Sequence, residues 1–220
     1  MNCCCVDATG KFFDKQARRM EKYFRRKGLR KEQQHLIEGL RQSGVEKASI
    51  LEIGCGVGAL HLSLLNAGAT KATGIDMSEK MIDTARQLSE EMQLNERASY
   101  FRGDFVAMHE AAPAADVAIL DKVICCYENV HELIALSTAK AKRLYAVSYP
   151  RQHWLVKSVF HSAAAAAKLF RWKFHPYYHE PALIQNTIAA SGFEKNYERQ
   201  TLMWVIQVFQ RRNGNGEERV

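Results

Sequence analysis

The chain has 220 residues, a mass of 25.0 kDa and a net charge of +7, from 31 Lys or Arg against 24 Asp or Glu. That length suits one α/β domain with an elaboration, and a hydrophobic content of 47% excludes a disordered chain. No run of about 18 apolar residues is available to span a bilayer. The N-terminus lacks the apolar stretch of a signal peptide, so a cytoplasmic location is expected.

The basicity has a location. Residues 11–31 hold ten Lys or Arg against Asp14 and Glu21, a local charge of +8, which leaves −1 for the rest. Phe12, Phe13, Ala17, Met20, Tyr23 and Phe24 recur through the same stretch at helical spacing. The pattern predicts one basic amphipathic helix over 11–27, ending near Gly28, then a second over 31–43 stopped by Ser43-Gly44. Such a helix docks its apolar face on the core, or offers its charges to an anionic substrate, an acidic membrane surface or nucleic acid.

Strands and helices then alternate. Strands are expected at Ser49–Ile53, Ala72–Ile75, Ala98–Arg102, Asp116–Leu120 and Arg143–Ser148. Helices are expected at Ala59–Asn66, from the cap Ser78 through Glu91, and near His131–Ala141. The rhythm implies a doubly wound, mostly parallel sheet. Residues 151–181 break it, mixing Trp154, Phe160, Phe170, Trp172, Phe174, Tyr177 and Tyr178 with His153, His161, His175 and His179. They read as a helical insertion with an aromatic loop over the strands' carboxyl ends. A helix over Glu180–Ser191 and a strand pair, Phe193–Thr201 and Met203–Arg211, close the domain, and the tail 213–220 is polar.

The most informative stretch is Ile50-Leu51-Glu52-Ile53-Gly54-Cys55-Gly56-Val57-Gly58. An apolar strand ends in three alternating glycines, and a helical pattern follows at once, so the backbone can approach a nucleotide. Gly54-x-Gly56-x-x-Ala59 satisfies the dinucleotide fingerprint. Glu52-x-Gly54-x-Gly56-x-Gly58 resembles motif I of the class I S-adenosylmethionine methyltransferases. Asp76-Met77 after the second strand and Arg102-Gly103-Asp104-Phe105 after the third resemble that family's next two motifs, and the closing strand pair is typical of its sheet. The methyltransferase reading is adopted over that of a nicotinamide-dependent oxidoreductase.

Beyond motif I, the chain resembles the magnesium-protoporphyrin O-methyltransferase branch. The matching residues are Phe13-Asp14 and Tyr23 in the arm, Leu120-Asp121 through Cys126-Tyr127, Leu144–Tyr149, Tyr177-Tyr178-His179 and Trp204. In that branch a His usually precedes the Tyr after strand four; here it is Cys126. The resemblance implies a seven-stranded Rossmann-like domain over 45–220, a helical lid over 1–44, and an acceptor cap over 151–181. It implies S-adenosyl-L-methionine as methyl donor and S-adenosyl-L-homocysteine as product. The implied cofactor residues are Glu52, Gly54, Cys55, Gly56, Gly58, Asp76, Met77, Asp104, Phe105 and Asp121. Candidate catalytic residues are Tyr127, Tyr23, His153 and His179, with His175 beside them.

The expected reaction is O-methylation of a small anionic or aromatic acceptor. A thiol, metalloid or RNA acceptor is the alternative, although the Asn/Asp-Pro-Pro-Tyr/Phe motif that holds a flipped base is missing. The six cysteines are Cys3, Cys4, Cys5, Cys55, Cys125 and Cys126. They contain no Cys-x-x-Cys pair, so reduced thiols and no metal site are expected.

Overall fold

The computed structural model describes residues 3–169 and 176–212, with the side chains of 3–8, 164 and 168 left aside. Cys3, Cys4 and Cys5 as side chains, His175, five more of the insertion's aromatic and basic residues (Phe170, Arg171, Trp172, Lys173 and Phe174) and the tail therefore lie outside the description.

Seven strands form one sheet: β1 (Ser49–Ile53), β2 (Lys71–Asp76), β3 (Ala98–Arg102), β4 (Ala115–Asp121), β5 (Ala141–Pro150), β6 (Phe193–Gln200) and β7 (Trp204–Arg211). Their order is β3-β2-β1-β4-β5-β7-β6, with β7 antiparallel to both neighbours and the others parallel. β1 is buried along its whole length because it pairs on both sides, with Leu51 opposite Thr73 of β2 and Ala118 of β4. Its alternation divides the core. Ile50 joins Leu36, Leu40 and Leu60 on one face, and Leu51 and Ile53 join Phe105, Leu133 and Tyr145 on the other.

Helices α1 (Cys3–Asp14), α2 (Ala17–Lys27) and α3 (Lys31–Gln42) precede the sheet. The single helix expected over 11–27 is therefore two, broken at Lys15-Gln16. The cause is tertiary: Asp14 Oδ1 accepts from Ser78 Oγ at 2.6 Å and from the Lys80 N–H at 3.1 Å. That fastens the end of α1 to the first turn of α5 (Glu79–Glu91), where the helix dipole favours an anion. α2 then packs along α5, and Arg25 reaches Glu91 with two bonds of 2.6 and 3.0 Å. α3 lies flat on the sheet. A Cβ on Gly39 would stand 2.5 Å from the Tyr197 ring, so only glycine allows this approach.

The remaining helices are α4 (Ala59–Asn66), the single turn α6 (Phe105–Met108), α7 (Val130–Lys140), α8 (Trp154–Leu169) and α9 (Pro181–Ala190). α6 and the 3-10 turn Ile124–Cys126 escaped the sequence reading, being too short to show a period. No described helix is long and apolar enough to cross a membrane. β1 lies between β2 and β4, so its two crossovers leave in opposite directions. The crevice this opens at the strands' carboxyl ends is where ligands bind in such sheets.

Candidate active site

A cavity of about 350 Å³ fills that crevice. Its floor is made by strand ends: Glu52 to Gly56 at the end of β1, Asp76 and Met77 at the end of β2, Gly103 and Phe105 after β3, and Asp121, Lys122 and Val123 at the end of β4. Cys126 and Tyr127 close one side. The roof comes from the arm, with Thr9 and Phe13 of α1, Arg19 and Met20 of α2, Arg30, and Gln33 of α3.

The glycine loop holds its shape through the strand-end acid. Asp76 Oδ2 accepts from the Gly56 N–H and Oδ1 from the Ser78 N–H, both at 2.8 Å. Burial pushes the Asp76 carboxyl up, and these backbone donors oppose it. Gly56 sits at φ 53°, with the Met20 Cε 3.3 Å from where a Cβ would stand. Cys55 is buried in the loop, and burial raises its thiol well above the usual range. It is a neutral wall atom.

Glu52 is 2% exposed and bonded to His61, whose Nδ1 lies 2.6 Å from Oε2. Asp121 accepts from Gln33 Nε2 at 3.0 Å and from Ser148 Oγ at 2.5 Å. Lys122 carries a left-handed φ of 62° and pairs with Glu32 of α3. That conformation turns the chain into the 3-10 turn, where the Cys125 and Cys126 thiols both donate to the Lys122 carbonyl, at 3.4 and 3.7 Å. The hydrogen bond with Cys125 and burial raise the Cys126 thiol, so it faces the cavity neutral.

Of the sequence-derived cofactor residues, eight line the cavity: Glu52, Gly54, Cys55, Gly56, Asp76, Met77, Phe105 and Asp121. Gly58 and Asp104 do not. Gly58 faces His61, and Asp104 caps α6 at the Val106 N–H (3.1 Å) while accepting from the Tyr127 hydroxyl. Of the catalytic candidates among the described residues, only Tyr127 reaches the wall. Burial and the adjacent Asp104 raise its hydroxyl far above the ordinary range, so it stays protonated. Tyr23 instead lies under the Arg30 guanidinium, 4.2 Å from ring centroid to Cζ. His179 Nε2 is bonded to the Tyr127 carbonyl at 2.7 Å, and His153 stands beside the exposed Trp154.

Sequence reasoning missed His61, Gln33 and Lys122. It treated Arg19 and Arg30 only as members of a charge run. His61 had a signal, being the one imidazole in an otherwise apolar helix start.

The sheet order and the crevice are those of the class I methyltransferase fold. Residues 50–145 match the family described as "Methyltransferase domain". The ubiquinone biosynthesis O-methyltransferase of Coxiella burnetii is 40% identical over 67 residues, 28% of this chain and 28% of that relative's length. The match thus spans little more than a quarter of that protein. Protein arginine N-methyltransferase 1 of Saccharomyces cerevisiae is 27% identical over 110 residues, 49% of this chain and 28% of that relative. The crystal structure of magnesium protoporphyrin IX methyltransferase from Synechocystis PCC 6803 with bound SAH superposes with a TM-score of 0.72. It is 21% identical and covers 92% of this chain and 98% of that one. The [4+2]-cyclase SpnF shares the fold at a TM-score of 0.70 and 12% identity, so the fold by itself names no reaction.

Proposed function

We propose that this protein transfers a methyl group from S-adenosyl-L-methionine to an oxygen of a small, apolar, anionic acceptor, most simply a carboxylate. One juxtaposition carries the reading: a single cavity holds buried carboxylates on its floor and guanidinium groups on its roof. Arg19 and Arg30 both line it; neither forms a close ion pair among the described residues, and Arg30 acts on Glu32 only at longer range.

The residues present fit the donor. Glu52 and Asp76 supply negative charge for a cationic ligand, the glycine loop gives close backbone approach, and Ile53, Met77 and Phe105 offer apolar surface to a base. Bound S-adenosyl-L-methionine supplies an electrophilic methyl on a sulfonium. The protein's part is alignment and exclusion of water, because an in-line displacement gains most from proximity. The arm supplies the exclusion by roofing the cavity with Phe13 and Met20. A carboxylate acceptor attacks as the anion and has no proton to lose. That suits a wall whose tyrosine is protonated and whose thiols are neutral. The O-methyltransferase name of the Coxiella burnetii relative supports oxygen as the accepting atom, while the N-methyltransferase name of the Saccharomyces cerevisiae relative does not.

The test is a panel of aromatic carboxylates, their amides and phenols, assayed for S-adenosyl-L-homocysteine formation. The proposal expects turnover of carboxylates and none of the matched amides. Methylation of RNA or protein alone would overturn it.

A further inference from the structure

α4 is apolar on nearly every side, through Leu60, Leu62, Leu64 and Leu65, yet it carries a histidine in its first turn. His61 is fully buried. Both its backbone N–H (3.3 Å) and its Nδ1 (2.6 Å) bond to Glu52 Oε2, and its Nε2 is 3.0 Å from the Tyr100 hydroxyl. A carboxylate only accepts, so Nδ1 carries the proton. Tyr100, whose hydroxyl is raised by burial, keeps its own proton and donates to Nε2. The imidazole lies on Gly58: a Cβ there would stand 3.0 Å from Cε1 and 3.1 Å from Nε2. The third glycine of the loop is therefore space for His61, not for a ligand.

The cavity's carboxylates differ in what they leave free. Asp76 uses one oxygen for Gly56 and the other for Ser78. Asp121 uses one for Gln33 and the other for Ser148. Both bonds to Glu52 end on Oε2, which leaves Oε1 for whatever fills the cavity. Of the two cationic groups on the proposed donor, only the α-ammonium has N–H to give a carboxylate oxygen; the sulfonium has none.

We infer that His61 is a positioning residue for the amino-acid end of the donor, holding Glu52 so that Oε1 meets the α-ammonium group. The inference rests on the donor reading above. Burial drives the Glu52 carboxyl up and the His61 hydrogen bond opposes that, so losing the imidazole removes a bond that favours the charged form as well as the one that fixes the carboxylate's orientation.

Two probes separate this role from a structural one. S-adenosyl-L-homocysteine carries the amino-acid end, and 5′-methylthioadenosine lacks it. In His61→Ala, affinity for the first should fall roughly 10- to 100-fold, the range of a lost hydrogen bond to a charged group. Affinity for the second should stay within about 2-fold. His61→Asn, whose amide nitrogen sits near Nδ1, should restore the preference, and His61→Gln, whose amide sits near Nε2, should not. That pair keeps the test sharp if the alanine variant does not fold. Equal weakening of both probes, or an Asn variant no better than Gln, would overturn the assignment. If the wild type binds neither probe, the donor reading itself fails and takes this one with it.

Discussion

Asp14 Oδ1 accepts a hydrogen bond of 2.6 Å from Ser78 Oγ, and the same Ser78 gives its backbone N–H to Asp76 Oδ1 at 2.8 Å. The arm is thereby joined to the acid that holds the glycine loop. Asp14→Ala should cost about 1 kcal/mol, the scale of a lost helix-end acceptor. It should also speed amide exchange through α1 and α2 and raise the dissociation rate of S-adenosyl-L-homocysteine. Exchange that accelerates nowhere in the arm would mean that this clasp holds nothing.

Gly56→Val places a branched side chain at φ 53°, facing Met20 and the cavity. The left-handed conformation costs about 1–2 kcal/mol for such a residue. Calorimetry should show S-adenosyl-L-homocysteine affinity lowered on the order of 100-fold, about 2.7 kcal/mol, in a protein whose circular dichroism remains that of the wild type. Unchanged affinity would place the ligand elsewhere.

Acidification should weaken donor binding early. The Glu52 carboxyl is raised above 4.5 by burial, so the site loses its charge at a higher pH than an exposed glutamate would. The folded chain also holds this proton more tightly than the unfolded one. Its contribution to stability is present below 4.5 and is lost as pH rises through the folded value. Affinity and stability therefore move in opposite directions across the same window above 4.5. Glu52→Gln should shrink both limbs, leaving the part carried by the likewise raised Asp76; titration calorimetry and thermal melts at stepped pH would measure them.

Arg30 is preset by its stack on Tyr23, 4.2 Å away. Arg30→Ala should raise the acceptor KM roughly 10- to 100-fold, the loss expected for a charge-assisted bond, with donor affinity little changed. Arg19→Ala should act in the same direction and less strongly, because Arg19 is more exposed. Steady-state kinetics with each substrate varied would decide it; a change confined to the donor KM would reassign the guanidinium groups to the donor.

The sheet was legible because its signals are local. β1 announces itself as an apolar run ending in glycines, and the pair β6–β7 as two strands with only three residues between them. The break between α1 and α2 was not legible, since its cause lies 64 and 66 residues away at Ser78 and Lys80. Asp104 was assigned to the ligand by its motif, yet Tyr127, 23 residues on, takes one of its oxygens. The surroundings of the candidate histidines were no more legible. Composition put His153 and His179 near the strand ends, but a backbone carbonyl captures one and the other stands beside an exposed indole. The partner that redirects each side chain comes from another element, and no spacing rule encodes it.

Phe13, Met20 and Arg30 line the same cavity as the glycine loop, so on the proposed function the two substrates would share one space beneath the arm. A nucleoside that enters beneath this roof has to arrive before the acceptor seals the remaining gap. It leaves only once the methylated compound has gone. On the proposed function this predicts a compulsory order, in which S-adenosyl-L-homocysteine should compete with the donor and be noncompetitive toward the acceptor. A pre-steady-state burst of product would mark lifting of the arm as the slow step, and its absence would place that step at the chemistry.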